Sequence, residues 1–129
     1  MFPSALLRSA TFVALSLLAI PFADAQKTDW PNKPVRFVVP FPPGGSNDQL
    51  ARLLGARLAE ITGQTFVVDN RQGASGAIGT AVVAKAPADG YTFACGQGGN
   101  MSVIPHTMKN VPYDALKDFA PVALIATNY

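Results

Sequence analysis

The stretch FVVPFPPGGSNDQLARLL, residues 37–54, passes from a β-branched apolar run through a Pro-Pro-Gly-Gly turn into a leucine-rich segment. Working outward, residues 35–40 (VRFVVP) read as a buried strand, because the run is β-branched and aromatic and is bounded by prolines. Beyond the turn, Ser46 with Gln49 three residues on forms a capping-box pattern, and Asp48 puts a carboxylate in the first turn, where the helix dipole favours it. Leu50, Leu53, Leu54, Leu58 and Ile61 then recur at helical spacing, and Gly63 supplies the stop.

The same unit recurs downstream. TFVVD at 65–69 is a strand, NRQGAS at 70–75 a glycine-containing loop, and 76–86 an alanine-rich helix ended by Pro87. A Pro-Ala-Asp-Gly turn leads into a third short strand at 91–95. Strands alternating with helices predict right-handed crossovers and an α/β fold whose mainly parallel sheet is flanked by helices. Next come GQGGN at 96–100, a short helix beginning at 101–105, a small segment at 115–119, and APVALIAT at 120–127, which reads as a strand entering the core. Nothing follows that strand to cover it, so the chain is expected to be the front part of a longer protein.

The first residues are set apart. Arg8 is the one charge before an apolar run at 11–20, and Pro21 and Ala23-Asp24-Ala25 follow in the pattern of a secretory cleavage site. An apolar run this short cannot cross a bilayer, which takes about 20 residues. Residues 1–25 are therefore expected to be a signal peptide cut after Ala25, leaving residues 26–129 as one small exported domain. Arg8 and Asp24 leave together, so the net charge stays at +2. The remaining basic residues are scattered, which argues against nucleic acid as a partner. Cys95 is the only cysteine and sits in a strand pattern, so it reads as a small hydrophobe rather than a nucleophile.

Chemistry concentrates in three glycine-containing loops, at 42–46, 73–76 and 96–100, each after a predicted parallel strand. In an open parallel sheet such loops share the carboxyl edge, where ligands bind. Helix N-termini there aim free N–H groups outward, which suits an oxyanion. Pro42 and Pro43 fix φ, while Gly44 and Gly45 permit angles other residues avoid. Taken alone, the first loop fits a plain capped turn as well as an anion cradle. Asp48 either favours the helix dipole or faces the cleft and accepts a hydrogen bond from a ligand amine or hydroxyl.

Other chemistries find little support. Gly73, Gly76 and Gly79 are spaced G-x-x-G-x-x-G, which is not a dinucleotide fingerprint, and no P-loop is present. His106 is the only histidine, with no partner to share a metal, and Ser75 lacks the glycine two residues on that a nucleophile elbow requires. No cofactor and no metal are expected.

PVRFVVPFPPGGSNDQLARLL, then VVDNRQGASGAIGTAVVAKAPADGYTF, then VPYDALKDFAPVALIA together resemble the extracytoplasmic solute receptors of the tripartite tricarboxylate transporter type, the TctC or Bug family. The resemblance runs from about residue 30 to 129. It implies a type II periplasmic binding fold, of which residues 26–129 are part of the first α/β domain with the second domain absent. It also implies a periplasmic receptor, not an enzyme, that passes a small carboxylate to membrane transporter subunits. Carried over by motif, the ligand-binding residues are Phe41, Pro43, Gly44, Gly45, Ser46 and Asp48 from the first loop and Gly73, Ala74, Ser75 and Gly76 from the second, with Asn100 added from the third. The alternatives are an exported α/β enzyme acting on a carboxylated or phosphorylated small molecule, and a non-functional gene fragment.

Overall fold

The computed structural model describes residues 29–127, so the expected signal peptide over 1–25 lies outside the described residues. Strand β1 (Val35–Val39) leads to helix α1 (Ser46–Thr62) and strand β2 (Phe66–Asn70). A 3-10 turn (Ala74–Gly76) opens helix α2 (Ala77–Ala84), which returns to strand β3 (Thr92–Ala94). A π-helical turn (Gly99–Val103) runs into helix α3 (Ile104–Thr107).

The strands pair in the order β2-β1-β3 and both pairings are parallel, as the alternation of elements predicts. Val35 sits opposite Phe66, Val39 opposite Asn70, and Phe37 opposite Phe93. As the central strand, β1 is bonded along both edges and covered on both faces, which is why its sequence is a nearly continuous apolar run. Val35, Val38 and Val39 are fully buried. The Phe37 ring lies 5.3 Å from that of Phe66 and meets that of Phe93 edge-on at 5.9 Å. Removing a side chain of that kind from water contributes about 1.5–3 kcal/mol.

Helix α1 packs on the Val35, Phe37 and Val39 face, but not through the whole leucine stripe that its sequence suggests. Ala51 and Gly55 make the close approach, with Leu54 and Leu58 beside them, whereas Leu53 and Ile61 are 70% and 66% exposed. Small residues win the contact position because the helix lies close to β2: a Cβ on Gly55 would fall 3.2 Å from Phe66 Cβ. The capping box also differs from expectation. Gly45 is the N-cap and no side chain caps the helix, while the Gln49 amide donates back to the Gly44 carbonyl at 2.9 Å. At the other end Gly63 adopts φ 72° and its N–H reaches Ala59 O, the stop that the sequence predicts.

Helix α2 packs against β1 and β3. Ala77 and Ala81 form a second core with Tyr113, joined by Ile104, Met108 and Phe119. Residues 120–127 form no strand: Val122 and Leu124 are 77% and 82% exposed, and the segment pairs with neither sheet edge among the described residues. β-branched and apolar composition marks a segment fit for a ladder, but a ladder also needs a neighbour that offers N–H and C=O groups.

Gly79 is where α2 meets the end of β1. A Cβ there would lie 2.5 Å from Arg71 O and 2.8 Å from Pro40 Cα, both backbone atoms. Gly79→Ala is expected to destabilise the fold by about 1–3 kcal/mol, since overpacking of this kind outweighs the ~1 kcal/mol that alanine returns in helix propensity. Denaturant unfolding of the two forms checks it, and a more stable alanine variant would refute this packing account.

Candidate functional site

The parallel sheet places the loops after all three strands on one edge. Beyond the paired residues, Arg71 N donates to Val39 O at 2.8 Å and Cys95 N to Val38 O at 2.9 Å, so the chain leaves β2 and β3 still bonded to β1. With the order β2-β1-β3, β1 is the strand at which the chain reverses its direction across the sheet, and a crevice at its carboxyl end follows from that topology. An open cleft of about 510 Å³ lies there, lined by Pro40, Phe41 and Pro42 from the first loop and Gln72, Gly73, Ser75 and Gly76 from the second.

The two loops reach the cleft with different backbones. In the first, Gly44 takes φ +83°, whereas Gly45 is extended at φ −71°, ψ 169° and needs no glycine for its conformation. Pro42, Pro43, Gly44, Gly45 and Ser46 are all exposed. The N–H groups of Gly45, Ser46 and Asn47 have no backbone acceptor among the described residues, so the first turn of α1 offers free donors as expected.

The second loop holds four successive residues at positive φ: Gly73 at 132°, Ala74 at 47°, Ser75 at 55° and Gly76 at 95°. For alanine and serine the left-handed region costs roughly 1–2 kcal/mol each, a strain that persists only where packing imposes it. The cause lies beneath. Gly76 is wedged so tightly that a Cβ would meet Asn100 Cβ at 3.1 Å and the Phe41 ring at 3.4 Å. One consequence departs from the expected open helix end. Gly76 N–H and Ile78 N–H turn back to Gly73 O and Ala77 N–H to Ala74 O, so the N–H groups of this loop with no acceptor among the described residues are those of Gly73, Ala74 and Ser75.

Asp48 and Asn100, both expected to contact ligand, are interior residues. Asn100 is fully buried; its amide donates to Thr80 Oγ1 at 2.7 Å, its Oδ1 accepts from Gln97 N at 2.8 Å, and its carbonyl accepts the Tyr113 hydroxyl. It ties the third loop to α2 under the cleft. Asp48 is 3% exposed. Its Oδ2 accepts from Arg52 Nε at 2.9 Å and Gly44 N at 2.8 Å, and its Oδ1 from Asn70 Nδ2 at 3.0 Å. The hydrogen bond from Arg52 and then that from Gly44 hold its carboxyl well below the usual range.

Asn70 and Arg52 carry no motif signal, yet they complete this network. Asn70 Nδ2 also donates to Phe41 O at 3.2 Å, and Arg52 donates to Asn70 Oδ1 at 3.3 Å. Nearby, Asp69 is bracketed by Arg36 and Arg71. The cleft lining itself has no charged side chain. Burial pushes the Cys95 thiol up to about 11, in keeping with its place against the first core. Among the described residues, no three His, Cys, Asp or Glu gather to hold a metal ion. The cleft thus offers neutral donors, from backbone N–H groups, the Ser75 hydroxyl and the Gln72 amide, beside an apolar wall. Donors of this kind can hydrogen-bond an anion without a charged side chain.

The chain resembles known proteins in both sequence and fold. Residues 50–129 match the family model described as "Tripartite tricarboxylate transporter family receptor" (TctC). MatC from Rhodopseudomonas palustris, solved with bound malate, is 38% identical and superposes with a TM-score of 0.71, over 74% of this chain and 33% of that one. An R. palustris protein solved with adipate is 49% identical with a TM-score of 0.65, over 67% of this chain and 29% of that one. A protein encoded in the tcbD-tcbE intergenic region of Pseudomonas sp. strain P51 is 46% identical over 104 residues, 80% of this chain and 31% of that protein. The chain therefore spans about a third of the length of the curated relatives it matches. With a parallel α/β sheet, a cleft between its first two carboxyl-edge loops and a family match over residues 50–129, the chain belongs to the TctC family of tripartite tricarboxylate transporter receptors.

Proposed function

We propose that these residues form one wall of a periplasmic receptor that captures a small carboxylate and presents it to the membrane subunits of a tripartite tricarboxylate-type transporter. The observation that carries this reading is the cleft between the loops after β1 and β2, with neutral hydrogen-bond donors set against an apolar wall. Malate and adipate, bound by two of the similar proteins, are both carboxylates with a short hydrocarbon body. In this reading the ligand carboxylate lies against the free N–H groups of Gly45, Ser46, Ala74 and Ser75. The opposing wall comes from the second α/β domain of a type II periplasmic binding fold, and binding shifts an open-to-closed equilibrium with no covalent step. The expected signal peptide at residues 1–25 delivers the protein to the periplasm.

Calorimetric titration of the complete receptor with dicarboxylates, tricarboxylates, aromatic acids and amino acids tests it. Binding of at least one carboxylate is expected, and no heat from any of them would refute the reading.

Gly45 separates binding from folding. Its angles suit any residue, and a Cβ there would meet only Pro42 O at 3.5 Å, an ordinary contact. Gly45→Val is therefore expected to cost only the modest helix-capping preference of glycine over valine, about 1 kcal/mol or less, while weakening carboxylate binding by about tenfold or more, the worth of one hydrogen bond to a charged group. Parallel losses of stability and affinity would instead mark the loop as a plain turn.

The pH dependence follows from Asp48. Its folded-state pKa is depressed, so its stabilising contribution is complete above the ordinary carboxylate value of 3.8 and is lost only as pH falls toward the lower folded value. Between pH 7.5 and 4 the loop should stay intact, and ligand affinity should track only the ligand's own carboxyl groups. Measured affinities that fall before the ligand protonates would contradict this.

A further inference from the structure

The loop after β1 and the loop after β2 form the two sides of the cleft, and one buried carboxylate ties the first to Asn70, the residue of β2 from which the second departs. Through its oxygens Asp48 engages Gly44 in the first loop, Arg52 one turn further along α1, and Asn70 at the end of β2. Asn70 in turn holds Phe41 O, at the start of the first loop, so that loop is gripped at both ends. We propose that Asp48, acting with Asn70 and Arg52, is the positioning device of the ligand site: it sets the first loop at a fixed distance from the second and does not touch the ligand. This inference rests on the carboxylate-binding reading and adds to it the group that arranges the donors.

Chemistry supports a positioning role over a contact role. A carboxylate close to an anion site repels the ligand, so its charge is a disadvantage there and its geometry must be what it contributes. Asp48 alone meets the pattern around it, because Gly44 N–H, Arg52 and Asn70 are all donors converging on one group. An asparagine of the same shape would turn its own NH₂ toward at least one of those donors. Arg52 meanwhile cancels the carboxylate charge and braces Asn70 through Oδ1. Gly44, at φ +83°, is held on both backbone groups, its N–H by Asp48 and its carbonyl by the Gln49 amide, and of the two only Asp48 also reaches β2. A loop fixed before the ligand arrives loses less entropy when it binds.

The sign of the effect separates positioning from simple electrostatics. Asp48→Asn removes a negative charge from beneath an anion site, so charge alone predicts tighter carboxylate binding, whereas loss of positioning predicts weaker binding. In the complete receptor, titrated with malate and with adipate well below its melting temperature, Asp48→Asn is expected to weaken binding by about tenfold. Amide hydrogen exchange over residues 41–46 should accelerate in the same variant, with or without ligand. Affinity that is unchanged or improved would overturn the proposal, including the case where only the melting temperature falls. Should Asp48→Asn not fold, Asn70→Ser cuts the same link without altering a charge; faster exchange and weaker binding support the proposal, and unchanged values overturn it. If the wild-type receptor binds neither acid, the variants are titrated with whichever acid of the wider panel it binds; no heat from any of that panel refutes the carboxylate reading instead, and the exchange measurement then decides by itself whether Asp48 holds the loop.

Discussion

A carboxylate buried beneath a turn of prolines and glycines is the constraint on which this cleft depends. Buried charge is tolerated only with full compensation, and Asp48 has it from a backbone N–H, a guanidinium and a side-chain amide. The requirement runs both ways. Three donors from three segments can converge only if α1, the first loop and the end of β2 sit in one arrangement, so satisfying the charge specifies the geometry. Residues 41–46 contribute little apolar burial of their own, since most of them are exposed. Beyond Phe41, which packs on the first core, they are held by polar bonds made below them.

The sheet supplies the frame on which that network acts. Parallel pairing on both sides of β1 brings three loops to one edge, and the reversal at β1 opens a crevice between two of them. Close packing then determines how narrow the site is. Gly79 lets α2 approach the end of β1, and Gly76 lets the second loop settle onto Phe41 and Asn100. A side chain at either position would displace a cleft wall, so one helix glycine and one loop glycine set its width.

The framework was legible in the sequence because its signals are local. VRFVV, TFVVD and YTFAC are β-branched or aromatic runs with clear boundaries, and Gly63 and Pro87 mark helix ends without reference to anything distant. The carboxyl-edge loops followed from the alternation of strands and helices alone. What could not be read depends on contacts far along the chain. Asp48 at the start of a helix looks the same whether it faces solvent or lies under a loop, and its partner Asn70 is 22 residues away. Asn100 likewise reads as a loop polar group until Thr80 and Tyr113 are seen to enclose it. The leucine stripe misled because Leu53 and Ile61 match helical spacing as well as Leu54 and Leu58 do, and only the nearness of Phe66 favours Ala51 and Gly55 for the contact. In 120–127 the apolar composition was real but its pairing was not.

The left-handed run from Gly73 to Gly76 bears on how such a receptor can change over evolution. Positions 74 and 75 exclude β-branched and bulky residues on backbone grounds, so mutation there samples a small alphabet. Where recognition rests on amide groups, a permitted side-chain exchange alters little of what the ligand meets. In the carboxylate reading proposed above, this edge of the protein is therefore nearly fixed in its chemistry. Divergence toward new ligands has its room in the surfaces around the rest of the molecule, where side chains rather than main chain make the contact.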